Sequence, residues 1–129
     1  MADKKVFILG VDGMDPKLTR QFVDEGLMPN VAQLIARGSA RYDLGMLGGH
    51  PTVTPPMWTT LATGAYPCTH GISGFQRIVP GKPTIQGYNL DSRNCEAEPL
   101  WNVTVEAGIK TLVFHWPGSS WPPTSKSEL

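Results

Sequence analysis

The sequence predicts a layered α/β domain with a largely parallel central sheet flanked by helices, and three observations carry that prediction. Two continuous β-favouring runs, "VFILGV" (residues 6–11) and "IKTLVFHW" (residues 109–116), have the composition of strands buried on both faces of a sheet. Between them, apolar residues recur at helical spacing in segments that open on Pro and close on Gly. Strands and helices therefore alternate, which is the grammar of an α/β layer structure. At 129 residues the chain makes one domain, 1–129, whose last residues, 117–129, lack periodicity and read as an irregular tail.

After the first strand, Asp15 and Pro16 form an N-cap and first-turn pair. Leu18 and Phe22 lie one turn apart, and Gly26 supplies a stop, so a helix is expected over residues 16–25. "MPNVAQLIARG" repeats the pattern, with Val31, Leu34 and Ile35 as the apolar stripe and Gly38 as the end. "ARYDLGML" (residues 40–47) is read as a second strand. A short helix is expected over residues 55–62, capped by Thr54. Residues 75–90 contain short β-like pieces broken by "PGKP" and Gly87, the signature of a hairpin, and "EPLWNVTVEAG" reads as a helix stopped by Gly108.

Eleven basic and eleven acidic side chains balance, so neither a nucleic-acid polymer nor an anionic membrane surface is an expected partner. No segment approaches the roughly 18 apolar residues of a membrane span. The charged start "MADKK" leads into a run that stops at Asp12 without a cleavage site, and two cysteines make no disulfide framework; a reduced, cytoplasmic setting is the simplest expectation. A Gly-rich dinucleotide loop, a P-loop and an Asp-x-Asp phosphoacceptor are all missing after the first strand.

Two residues stand where chemistry could sit. Asp12 falls at the carboxyl end of the first strand, where open α/β sheets bind ligands. It fits a metal-binding carboxylate, and equally a turn Asp that caps its own loop. Thr54, followed by Pro55 and Pro56, fits a plain helix cap. It also fits a hydroxyl held in the positive field of a helix start, where developing negative charge is favoured once a metal or base activates it.

The segments "ILGVDGMD", "MPNVAQLIARG", "PTVTPPMWTTLATGAYPCTHGI" and "EPLWNVTVEAGIKTLVFHWPGS" occur in an order that resembles type I phosphodiesterase/nucleotide pyrophosphatase proteins of the alkaline phosphatase superfamily. The resemblance covers the chain to about residue 120. It implies an alkaline-phosphatase-like fold and metal-dependent hydrolysis of phosphate esters in a phosphorylated small-molecule substrate. The family works through a covalent phospho-threonine and two divalent metal ions, zinc or manganese. By position, Thr54 matches the nucleophile and a metal ligand, and Asp12 matches the aspartate that binds one metal. His50, in a Gly-rich loop near Thr54, is a candidate substrate or metal contact, whereas His70 of "THGI" is chiefly structural in the family. His115, at the end of a strand, is expected to be a buried, locally satisfied histidine.

The chain departs from the family pattern in three ways. Phe75 replaces the asparagine that contacts phosphate in the nucleotide-cleaving branch. Thr54 with Trp58 four residues on excludes the Cys/Ser and Arg of sulfatases, and the same Thr disfavours the Ser-using mutases. The Asp-x-x-x-His and Asp-His segments that supply the remaining ligands do not occur. These departures lead to the expectation that the chain is the N-terminal part of a larger catalytic domain, dependent on the remainder or on self-association for stability. The competing expectation is a non-catalytic α/β binding or interaction module that retains the scaffold.

Overall fold

The structure, a computed structural model, describes residues 5–42 and 52–119. The chain divides into two compact units, Met1–Gly49 and His50–Leu129.

The described part of the first unit holds two short helices in contact, α1 (Pro16–Asp24) and α2 (Pro29–Arg37). Asp15 caps α1 as its sequence predicts: Oδ1 accepts the Lys17 and Leu18 backbone N–H groups at 2.9 and 2.8 Å, a motif that stabilises a helix by about 1 kcal/mol. Thr19 Oγ1 returns to the Asp15 carbonyl at 2.6 Å, and Thr19 is buried. The far end closes as a Schellman motif, with Leu27 N–H on the Phe22 carbonyl at 2.8 Å and Gly26 N–H on the Val23 carbonyl at 3.1 Å. The apolar stripe remains largely uncovered: Leu18, Phe22 and Leu34 are exposed.

The second unit carries α3 (Thr54–Thr63), α4 (Pro67–His70), the hairpin β1 (Gln76–Val79) and β2 (Lys82–Tyr88), a 3-10 turn over Ser92–Asn94, and α5 (Leu100–Glu106). The hairpin is antiparallel, pairing Gln76 with Tyr88, Arg77 with Gly87 and Ile78 with Gln86, and it shifts register beyond Ile78. Among the described residues the apolar core is small, consisting of Trp58, Ala62 and Ile72 with the buried prolines Pro55, Pro56 and Pro67. Thr59, Thr60, His70, Asn89 and Ser92 are buried alongside, so much of this interior is polar and must be hydrogen-bonded. Helix α5 ends as α1 does, with Gly108 N–H on the Val105 carbonyl and Ile109 N–H on the Thr104 carbonyl, both at 2.9 Å.

The expected parallel sheet is not what the described residues form. Their one sheet is the two-stranded antiparallel hairpin. Residues 6–11 and 109–116 enter no ladder, and their side chains are mainly exposed, with Phe7 and Leu112 each at 87%. An apolar run selects a segment for burial, but a strand exists only where a neighbour takes up its N–H and C=O groups. His115 is consequently exposed rather than buried, with a positive φ of 51° and its ring 4.4 Å from that of Phe114. Of the second strand expected at residues 40–47, residues 40–42 carry no strand and residues 43–47 lie outside the described residues.

Gly108 has φ of 74°, a conformation that costs an L-residue roughly 1–2 kcal/mol. Gly108→Ala is therefore expected to lower the unfolding free energy by about 1 kcal/mol or more, and the urea midpoint will report it. An unchanged midpoint would contradict the assigned α5 terminus.

Candidate active site

Helix α3 carries the candidate nucleophile, and its first turn is set by two prolines. The N-cap is Val53, in extended conformation, and Thr54, Pro55 and Pro56 are the first three helical residues. The sequence places the cap one residue later, on Thr54. In the structure the Met57 N–H, the donor that a Thr54 cap would address, meets the Val53 carbonyl at 3.3 Å. A capping side chain on residue 53 would have nothing to accept, because the second and third helical positions lack N–H groups. Two of the first three helical positions therefore carry no backbone N–H. The field favouring an anion here is narrower than the sequence suggests: the helix dipole remains, but the usual cluster of open donors does not.

Thr54 itself is partly exposed, while Pro55, Pro56, Trp58, Thr59 and Thr60 behind it are buried. Three threonines anchor the helix. Thr59 Oγ1 donates to the Pro55 carbonyl at 2.8 Å and Thr63 Oγ1 to the Thr59 carbonyl at 2.8 Å. Thr60 Oγ1 meets His70 Nε2 at 3.1 Å.

His70 is wholly buried. Its Nδ1 accepts the Ile72 N–H at 3.1 Å, which assigns the ring proton to Nε2 and directs it at Thr60 Oγ1. Its carbonyl accepts the Glu96 N–H at 3.0 Å. One imidazole thereby joins α3, α4 and the segment after the 3-10 turn. Burial holds the His70 pKa below the ordinary 6.5, against smaller opposing contributions from the Pro56 and His70 backbone. The structural role that the family resemblance implies for this histidine agrees with this geometry.

A tryptophan cluster also holds α3. Trp116 Nε1 donates to the Trp58 carbonyl at 3.3 Å, and the two rings meet edge-on, 4.9 Å apart at 88°. Trp101 of α5 stands 6.1 Å from Trp116 in a similar tilted contact. Such aromatic pairs each stabilise by about 0.5–1.5 kcal/mol beyond the area they bury. Sequence reasoning singled out Trp58 only as a non-arginine; its pairing with Trp116, 58 residues away, has no local signal.

Asp12 belongs to the first unit, exposed in a turn with Gly13 at φ of 70°. His50 lies outside the described residues. Among the described residues no group of three or more His, Cys, Asp or Glu side chains is gathered to hold a metal. One carboxylate and one hydroxyl fall short of the four donors a zinc ion takes, so these residues do not make a metal centre by themselves. Among the described residues, too, no helix is long and apolar enough to cross a membrane.

Protonating His70 would break its acceptor bond from Ile72, so the fold holds the neutral ring. The unfolded chain takes up the proton near pH 6.5 and the folded chain only at lower pH. Stability from this residue is therefore complete above pH 6.5 and declines as the pH falls towards the lowered folded value. Melting temperatures between pH 8 and 5 are expected to fall more steeply for the native chain than for His70→Gln. Parallel curves would overturn the assignment.

Comparison with known proteins shows what this chain is similar to. The sequence profile described as type I phosphodiesterase / nucleotide pyrophosphatase matches residues 6–128. Human ectonucleotide pyrophosphatase/phosphodiesterase family member 1 is 31% identical over 100 residues, covering 73% of this chain and 10% of the relative. Venom phosphodiesterase 2 of Crotalus adamanteus is 30% identical over 102 residues, covering 74% of this chain and 12% of the relative. A pyrophosphatase/phosphodiesterase of Schizosaccharomyces pombe, described as uncharacterized, is 25% identical over 120 residues, covering 88% and 24% respectively. The chain thus spans between a tenth and a quarter of the length of these relatives. No solved structure gives a significant match.

Proposed function

The chain belongs to the type I phosphodiesterase/nucleotide pyrophosphatase family, and from that premise we propose that it contributes the nucleophile of a phosphate-ester hydrolase, Thr54. The observation that carries the reading is the family match over residues 6–128, within which Thr54 stands partly exposed at the first turn of a helix fixed from behind. In the proposed reaction the Thr54 hydroxyl oxygen attacks phosphorus. The Oγ–P bond forms as the ester P–O bond breaks, and the departing alkoxide takes up a proton. Water then cleaves the Oγ–P bond, releasing the phosphoryl product and restoring the hydroxyl.

The rigid backing of α3 suits this chemistry, because a nucleophile held in one place avoids the entropy cost of being positioned. Prolines at the second and third helical positions take two backbone donors out of this helix start, so charge on the phosphorus oxygens must be met chiefly by other groups. Asp12 and Thr54 would supply part of the ligand set for divalent metal ions, zinc or manganese, with the other ligands drawn from outside these 129 residues. Bound metal would lower the hydroxyl's pKa and neutralise phosphate charge. Phe75, exposed at the mouth of the hairpin, leaves the reading at phosphate esters rather than nucleotides specifically.

Thr54→Ala in the full-length protein supplied with zinc or manganese is expected to reduce hydrolysis of an aryl phosphodiester by more than roughly 10³-fold, the scale of losing a covalent nucleophile. Chelation is expected to abolish the activity, and the 129-residue chain alone to show negligible turnover. Native-level turnover by Thr54→Ala would remove the nucleophile assignment.

The exposed apolar runs at residues 6–11 and 109–114 support a related proposal: the chain needs the remainder of its domain, or a second copy, for full stability. Its unfolding midpoint is then expected to rise with protein concentration. A sharp, concentration-independent transition in a monomer shown by sedimentation would count against it.

A further inference from the structure

A crevice in the second unit borders a polar group that the protein leaves unsatisfied. Asn89 follows β2 and is 2% exposed. Its backbone N–H donates to the Phe75 carbonyl at 2.9 Å, and its side-chain Nδ2 donates to the Gly74 carbonyl at 3.1 Å. The second bond fixes the amide's orientation, because the flipped amide would set Oδ1 against a carbonyl oxygen. Oδ1 is out of solvent and has no hydrogen-bonding partner among the described residues. A buried acceptor in that condition is costly unless something donates to it.

Asn89 lines a crevice of about 20 Å³, space for a single water molecule. Thr59 and Thr63 of α3 line it as well. Both have committed their hydroxyl protons, Thr59 to the Pro55 carbonyl and Thr63 to the Thr59 carbonyl, so towards a guest they can only accept. The Asp91 carboxylate, also on the wall, is bound by the Arg93 guanidinium through both oxygens, which offsets its charge. Next to Asn89 Oδ1 the crevice therefore has acceptors on α3, and its Asp91 carboxylate is already paired. A space of about 20 Å³ excludes phosphate and carboxylate by size, and the unmet acceptor calls for a small molecule with hydrogens to give.

We propose that this crevice is a binding site for one ordered water molecule, which donates one hydrogen to Asn89 Oδ1 and the other to a threonine hydroxyl of α3. The water ties the exit of the hairpin to the helix that carries Thr54. This site is independent of the hydrolase reading, since it rests on packing within the second unit alone.

High-resolution crystallography of the full-length protein tests it. The expected result is a density peak about 2.7–3.2 Å from Asn89 Oδ1, with no anomalous signal there after a rubidium soak. In Asn89→Leu, which removes the acceptor and fills the space, the peak is expected to vanish. Thr59→Val, close in shape but without the hydroxyl, is expected to retain the fold with a weakened or shifted peak. An anomalous rubidium peak would replace the water with a cation site, and an empty crevice or a protein donor on Oδ1 would remove the site. Either result overturns the proposal.

Discussion

The second unit depends on a buried histidine whose every polar group is used. His70 receives the Ile72 N–H on one ring nitrogen, faces Thr60 with the other and accepts Glu96 N–H on its carbonyl. Because this interior buries few large apolar side chains, hydrophobic contact alone would leave its elements free to slide. Directional bonds to a ring of fixed tautomer remove that freedom, since any shift of α3 against α4 leaves a polar atom unsatisfied in a dry place. Thr59, Thr63 and Asn89 extend the same logic along the helix and into the hairpin.

The prolines at the start of α3 impose a second constraint. They remove two backbone donors where a helix ordinarily displays them, so the turn can be partly buried without stranding N–H groups. The same feature limits what the helix start can offer an anion. Trp58, one turn further along, is clamped by Trp116, so the segment after α5 is tied to the helix that bears the proposed nucleophile.

Membership of the phosphodiesterase family rests on a match that runs through nearly the whole chain, residues 6–128. Thr54 is not the cap of its helix, and Asp12 is exposed in a turn. The described residues gather no three-ligand metal cluster. The part this chain covers is between about a tenth and a quarter of these relatives' length.

The sequence by itself determined the elements that local chemistry controls. Asp15-Pro16 opens α1, Gly26 and Gly108 close α1 and α5, and the Pro-Gly interruption marks the hairpin, because capping and positive φ act over a few residues. It also carried the family, since motif order survives without knowledge of contacts. Tertiary structure decided everything that needs a distant partner. "VFILGV" and "IKTLVFHW" have strand composition, yet a ladder requires a neighbour that no local pattern supplies. The cap of α3 lies on Val53 rather than Thr54 because hydrogen bonding, not the Thr-Pro signature, sets the first turn. The pairing of His70 with Thr60, of Trp116 with Trp58, and the burial of Asn89 are invisible in sequence for the same reason: each is a contact between segments that only folding brings within reach.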